Sequence, residues 1–267
     1  MKHLKDRSIG IFDSGIGGLT VAKGLRRELP GENIVYFGDT ARVPYGNKSR
    51  ETIIRFACEI VEFLSKKNVK MIVVACNTAS SFSLNAIKKI YEGPVIGVIS
   101  PGMEDAVIAS KTGRIGVIGT RSTINSRSYD KEAAKYGKRV RLFSKSCPLF
   151  VPLVENKFSD DKIAYDVAKR YLEGLKKKDI DTLILGCTHY PIMKKVIGKV
   201  MKDVTLIDSA NAVSKMARKI LEKKDLLRSN KRSQGWTRCY VSDDVDGFKK
   251  NSGIFFESNT SIKKVVL

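Results

Sequence analysis

Two cysteines stand where thiols can act as acids and bases. Cys76 closes the apolar run Met71 to Ala75 and is followed by Asn77 and Thr78. Cys187 follows Asp181 to Gly186 (DTLILG) and is followed by Thr188, His189, Tyr190 and Pro191. Each run is too short for a stable helix, so each reads as a buried strand delivering its cysteine to a strand-to-helix turn. In an open α/β sheet, ligands bind at that edge. A thiol at a helix N-terminus also has its pKa lowered, which brings thiolate within reach near neutral pH. Taken singly, either cysteine is an ordinary packing residue, since buried free cysteine is common. As a matched pair they suit the removal of a proton from one face of a carbon and the delivery of one to the other, which is racemisation. A redox disulfide is the alternative, although no CxxC pair is present. A metal site wants more ligands than His3 and His189, the only histidines, suggest. No metal and no cofactor are expected.

A third group comes from the first apolar run, Ser8 to Phe12, which ends in Asp13-Ser14-Gly15-Ile16-Gly17-Gly18 before the helical pattern Leu19 to Leu29. That turn reads either as a tight connection or as a cradle for a carboxylate or phosphate. It meets neither the dinucleotide fingerprint GxGxxG nor the lysine-bearing P-loop. Asp13 favours the cradle, because a carboxylate among anion-binding amides needs a reason such as acid/base work.

The elements that must hold these groups alternate strand and helix. Strands are expected at Asn33–Gly38 and Val95–Ile99, with Ser49 capping a long helix through Leu64. Cys58 in that helix is a packing residue. A second array begins at Arg114, runs into Gly119-Thr120-Arg121-Ser122-Thr123 and a helix through Tyr136, and continues with a strand at Val140–Phe143. Cys147 to Glu155 is then an apolar segment closed by an acid, before a long helix from Ser159 or Asp160 to Lys178. Thr205–Asp208 is a strand and Ala210–Lys224 a helix, and Lys223 to Gly235 is a polar surface connection. Trp236–Val241, Val245–Lys250 and Ser261–Val266 read as strand, helix and strand, with Cys239 inert. Ile9 and Ile115 lie 106 residues apart and the two cysteines 111 apart, near enough for an old duplication. The expected fold class is α/β: two similar lobes with mainly parallel sheets flanked by helices, related by pseudo-twofold symmetry, with the active site in the cleft between them. Residues 1–98 plus 210–267 form the N-terminal lobe with a returning C-terminal tail, and 99–209 the second.

Forty-nine Lys and Arg against 28 Asp and Glu give a formal charge of +21 in 267 residues. The basic residues scatter over helix faces without interleaved aromatics, so a solvated lysine-rich surface competes with a polyanion partner. Either way, an anionic substrate is drawn in. Five cysteines without a zinc-type spacing, and an opening MKHLKDRS without an apolar signal run, imply a reducing, cytoplasmic setting. No stretch has the apolar length to span a bilayer, so no membrane role is expected.

FDSGIGG (Phe12 to Gly18), GDTARVPYG (Gly38 to Gly46), ACNTAS (Ala75 to Ser80), GTRST (Gly119 to Thr123), CPLFVPLVE (Cys147 to Glu155) and GCTHYP (Gly186 to Pro191) together resemble the bacterial glutamate racemases, in order and over nearly the whole chain. The THYP after the second cysteine is the glutamate type, whereas aspartate racemases of the wider family carry Thr-Glu there. The resemblance implies cofactor-independent interconversion of L- and D-glutamate, supplying D-glutamate for peptidoglycan and so for cell shape. It implies that Cys76 takes the α-proton from D-glutamate while Cys187 protonates the opposite face, with the roles reversed for L-glutamate. Asp13 would serve Cys76, and Glu155 and His189 would serve Cys187. Asp13, Ser14, Pro44, Tyr45, Gly46, Asn77, Thr78, Thr120, Thr123, Thr188 and His189 would hold the substrate. A homodimer is implied, and the competing reading is a binding protein, since inhibition of DNA gyrase is ascribed to some such racemases. Two departures stand out. Asn156 and Lys157 follow Glu155 where the family often shows glycine, and the first strand starts within a few residues of Met1, without the extension linked to activation by a cell-wall nucleotide precursor. Constitutive activity is therefore expected.

Overall fold

Apolar strands alternating with amphipathic helices give each half of the chain a parallel sheet. The protein is represented by a computed structural model that describes residues 2–229, 234–252 and 260–267. It divides into two units, Met1–Val98 with Ala210–Leu267, and Ile99–Ser209.

The first unit begins with α1 (Lys2–Lys5), β1 (Ser8–Asp13), α2 (Leu19–Glu28), β2 (Ile34–Gly38), α3 (Arg50–Lys66), β3 (Val69–Val74), α4 (Asn77–Ile90) and β4 (Val95–Gly97). Every residue of β1, β2 and β3 is buried, as befits strands covered on both faces. Alternate side chains serve the two sides: Ile9, Ile11, Tyr36 and Val73 pack with α2, while Phe12, Phe37, Ile72 and Val74 pack with α3 and α4. Ser49 caps α3 as expected, its Oγ accepting from Thr52 N at 3.2 Å.

The second unit contains α5 (Ile99–Ala109), β5 (Arg114–Gly119), α6 (Arg121–Asn125), α7 (Ser128–Ala134), β6 (Arg141–Ser146), α8 (Phe150–Glu155), α9 (Lys162–Lys176), β7 (Thr182–Gly186), α10 (Lys194–Val200) and β8 (Thr205–Asp208). Here the structure corrects two expectations. The strand expected through Ile99 stops at Gly97, and Ile99-Ser100-Pro101-Gly102 opens α5. Proline is tolerated there because the first-turn N–H groups have no intrahelical partner anyway. The single helix expected through Tyr136 is two, parted at Arg127, whose φ of 54° is left-handed. The apolar segment before Glu155 is the helix α8.

The chain then returns through α11 (Ser209–Lys223), β9 (Thr237–Val241), α12 (Val245–Ser252) and β10 (Ser261–Lys264). β9 pairs with β2 and β10 with β9, extending the first sheet to the order β10-β9-β2-β1-β3-β4, all parallel. The second sheet runs β6-β5-β7-β8. Without its tail the first sheet reads β2-β1-β3-β4, the same path in the same sequence order. Both cysteines therefore leave the third strand of their array. Among the described residues no helix is long and apolar enough to cross a membrane.

Candidate active site

In the first unit, Asp13 is the last residue of β1 and is fully buried. Its Oδ2 accepts from Gly15 N at 3.0 Å, folding the Ser14–Gly18 turn over the carboxylate. Gly18 begins α2 so close by that a Cβ there would lie 2.4 Å from that of Asp13. Only glycine fits. Tyr36, from β2, donates its hydroxyl to Gly15 O at 2.7 Å and braces the same turn from below. Burial raises the Tyr36 pKa well above its usual range, and the charges of Asp13, Cys239 and Cys76 add to the effect.

Cys76 follows β3 and is itself the N-cap of α4, with extended backbone and a sulfur that accepts from Ala79 N at 3.5 Å. Asn77 and Thr78, whose side-chain oxygens are of the usual capping kind, lie instead in the first turn, buried. An amide aimed at the sulfur favours negative charge on it. The thiol also reaches Ser14 Oγ at 3.7 Å, which ties the Asp13 turn to the cysteine turn. Pro44, Tyr45 and Gly46 sit on the loop after β2. The Tyr45 hydroxyl donates to Asp39 and its ring is buried against Phe56, so its backbone is the part left for a ligand.

In the second unit, Cys187 follows β7 and only 7% of it is exposed. His189 Nδ1 lies 3.9 Å from Cys187 Sγ, and Nε2 lies 3.4 Å from Glu155 Oε1. A proton on Nε2, drawn toward the carboxylate, leaves the Nδ1 lone pair facing the thiol. Thr120 caps α6, accepting from Thr123 N at 3.2 Å, and the two threonine hydroxyls lie 3.0 Å apart. Thr123 and Thr188 are buried. The structure thus gathers Asp13, Ser14, Cys76, Asn77 and Thr78 around the end of β1 and β3, and Cys187, Thr188, His189 and Glu155 around the end of β7.

Sequence reasoning assigned no role to Tyr36, Asp39, Tyr129 or Tyr190. Tyr190 donates to Cys147 O at 2.8 Å and stacks edge-on against Phe150, fixing the turn that holds His189. Tyr129 lies under Gly186, where a Cβ would be 3.2 Å from its ring. Asp39 lay inside a motif already singled out, GDTARVPYG, and its acid type beside Arg42 was the available signal. Among the described residues, no group of three or more His, Cys, Asp or Glu side chains could hold a metal ion.

The profile of the Asp/Glu/hydantoin racemase family matches residues 16–217. The chain belongs to this family. Its relatives within the family include the glutamate racemase of Geobacter metallireducens, 47% identical over 91% of this chain and 90% of that protein. A glutamate racemase from Bacillus anthracis has the same fold with a TM-score of 0.94 and 40% identity, covering 100% of this chain and 99% of the other. One from Francisella tularensis, solved with D-glutamate, gives a TM-score of 0.90 and 41% identity over 98% of both chains. These likenesses place the chain among the isomerases, on the glutamate racemase branch of the family.

Proposed function

We propose that this enzyme interconverts L- and D-glutamate without a cofactor, using Cys76 and Cys187 on opposite faces of the α-carbon. Cys76 removes the proton from D-glutamate and Cys187 from L-glutamate, each returning a proton when the other is the base. The observation that carries this reading is the repeated sheet order, which leaves one thiol at the end of the third strand in each unit, each beside its own acid-bearing turn. The D-glutamate held by the Francisella relative supports the substrate. Asp13 and Ser14 assist Cys76, while His189 and Glu155 move protons to and from Cys187. The hydroxyls of Thr120, Thr123 and Thr188, the first turn of α4 and the Pro44–Gly46 backbone hold the substrate's carboxylates and ammonium group. Dense donors in a water-poor site stabilise the carbanion formed beside the α-carboxylate. The product D-glutamate feeds peptidoglycan in the cytoplasm, and the active form is a homodimer.

The test is proton NMR of D-glutamate incubated with the enzyme in D₂O, with optical rotation followed in parallel. Loss of the α-proton signal with rotation decaying to zero, both abolished by Cys76→Ala and by Cys187→Ala, is the expected result. No exchange by the wild type overturns the reading, and faster turnover of aspartate overturns the substrate.

A second reading, polyanion binding, has one observation in its favour. A cleft of about 480 Å³ between α9 and α10 is lined by Lys169, Lys176, Lys177, Lys199 and Lys202, with Glu173 the one acid. For a gyrase partner, a supercoiling assay with Cys76→Ser separates binding from catalysis, and no inhibition removes the gyrase interaction.

A further inference from the structure

The segment that follows β9 packs on the substrate loop. Ser242, immediately after β9, donates its backbone N–H to Gly38 O at 3.1 Å and its hydroxyl to Asp39 Oδ1 at 2.8 Å. The same hydroxyl oxygen accepts from Ala41 N at 2.8 Å. One residue on, Asp243 N donates to Thr40 Oγ1 at 2.8 Å while the Thr40 hydroxyl donates back to Asp243 O.

Asp39 is fully buried, and its remaining bonds run into the loop that carries Pro44, Tyr45 and Gly46. Arg42 Nε donates to Oδ1 at 3.0 Å and Oδ2 at 2.7 Å, and the Tyr45 hydroxyl donates to Oδ2. The Arg42 guanidinium also pairs with Glu59 and lies 4.0 Å above the Phe56 ring. Asp39 N donates to Asp13 O at 3.1 Å, so the same residue is tied to the catalytic turn through its backbone. Asp39 thus joins three segments: its carboxylate links its own loop to the end of β9, and its backbone N–H links both to the end of β1. A buried carboxylate needs such donors, since each acceptor left unfilled costs free energy.

We infer that Ser242 is a positioning residue for racemisation, acting through Asp39 to hold loop 42–46 in the shape that receives substrate. The inference rests on the racemase reading of this site. Without the Ser242 hydroxyl, Asp39 Oδ1 keeps only the longer of the two Arg42 bonds and Ala41 N loses its acceptor. The loop then samples other conformations, and ordering it becomes part of the cost of binding. Ser242 bonds to Gly38, Asp39 and Ala41 and to neither cysteine turn, and the Asp39 backbone bond to Asp13 does not use the Ser242 hydroxyl, so the loss falls on KM and leaves kcat in place.

The experiment compares Ser242→Ala and Ser242→Thr with the wild type in glutamate racemisation, and measures hydrogen exchange over residues 42–46. Ser242→Ala should raise KM for D-glutamate about tenfold with kcat within about twofold, and exchange over the loop should quicken. Ser242→Thr, which keeps the hydroxyl, should restore both. Wild-type KM and exchange in Ser242→Ala overturn the inference, as does a fall in kcat at constant KM or a defect that threonine fails to rescue. If the wild type leaves glutamate untouched, the racemase reading fails instead. In that case unchanged loop exchange in Ser242→Ala overturns the positioning role, and quickened exchange rescued by threonine upholds it.

Discussion

Glu155 reaches His189 across 3.4 Å, Oε1 to Nε2, and leaves the other ring nitrogen facing Cys187 at 3.9 Å. The three groups form a line from solvent to thiol, since the Glu155 side chain is 39% exposed and the His189 side chain only 5%. Such a line can carry a proton between water and a buried sulfur. His189→Gln should therefore lower kcat about a hundredfold, and Glu155→Gln should lower it less, with KM for glutamate nearly unchanged in both. Steady-state kinetics in each direction check this. Unchanged kcat in both variants, or a loss confined to KM, would remove the relay.

The cysteines divide by environment, which labelling can read out. Cys147 and Cys239 are fully buried, and desolvation pushes the thiol of each up to about 12. In the native enzyme at pH 8, iodoacetamide should modify Cys76 and Cys187 before Cys147 and Cys239, and glutamate should protect the first two. Cys147 and Cys239 should react only after unfolding. Peptide mass spectrometry distinguishes the sites, and modification of Cys147 at the rate of Cys187 would contradict the assignment.

Much of this was legible from the chain because the signals are local. The runs at Ser8, Asn33, Met71, Arg114 and Asp181 are apolar and short, and each became a strand within about two residues of its expected bounds. The cysteine turns follow directly from those strands. What escaped was set by tertiary context. Ile99 starts a helix because β4 ends early, which no local pattern announces. The cysteine that caps α4 does so with sulfur, outside the usual list of capping oxygens. Asp39 gains its meaning only when β9, some 200 residues later, lies beside β2 and brings Ser242 to it.

Asp181 offers a test in acid. Its carboxylate, at the entry to the strand that delivers Cys187, accepts from Ser110 Oγ at 2.6 Å, Lys111 N at 2.8 Å, Thr112 N at 2.7 Å and Thr112 Oγ1 at 2.9 Å. Desolvation raises the pKa, but the bonds from Ser110, Thr112 and Thr182 outweigh it and lower the group from 3.8 to about 2. A depressed carboxylate contributes stability that is fully present above its unfolded pKa and is lost as pH falls through the folded value. Its contribution should therefore fade between about pH 4 and pH 2. Asp181→Asn should cost about 1 kcal/mol at pH 7, a modest figure because the clamped loop is partly exposed. It should also flatten the fall in stability below pH 4. Urea unfolding at pH 7, 4 and 2 measures both, and parallel pH profiles for the two proteins would refute the assignment.

The departure after Glu155 has a backbone cause and a measurable consequence. α8 ends with Lys157 N donating to Val154 O at 3.0 Å and Phe158 N donating to Leu153 O at 2.8 Å, the paired bonds of a Schellman close. That close puts Lys157 at φ 64°, the left-handed region that glycine enters freely and a lysine does not. The helix end keeps the geometry glycine would give and Glu155 stays 3.4 Å from His189, while the strain is carried by one backbone position. Lys157→Gly should relieve it and stabilise the protein by about 1 kcal/mol, after allowing for the greater freedom of glycine in the unfolded chain. A gain of that size raises Tm by about 2–4 °C for a protein near this length. Racemisation should hold at the wild-type rate, since the substitution touches neither Glu155 nor His189. Thermal unfolding and kcat measured together decide it: a lower Tm would mean that the lysine side chain contributes more to this helix end than its backbone costs.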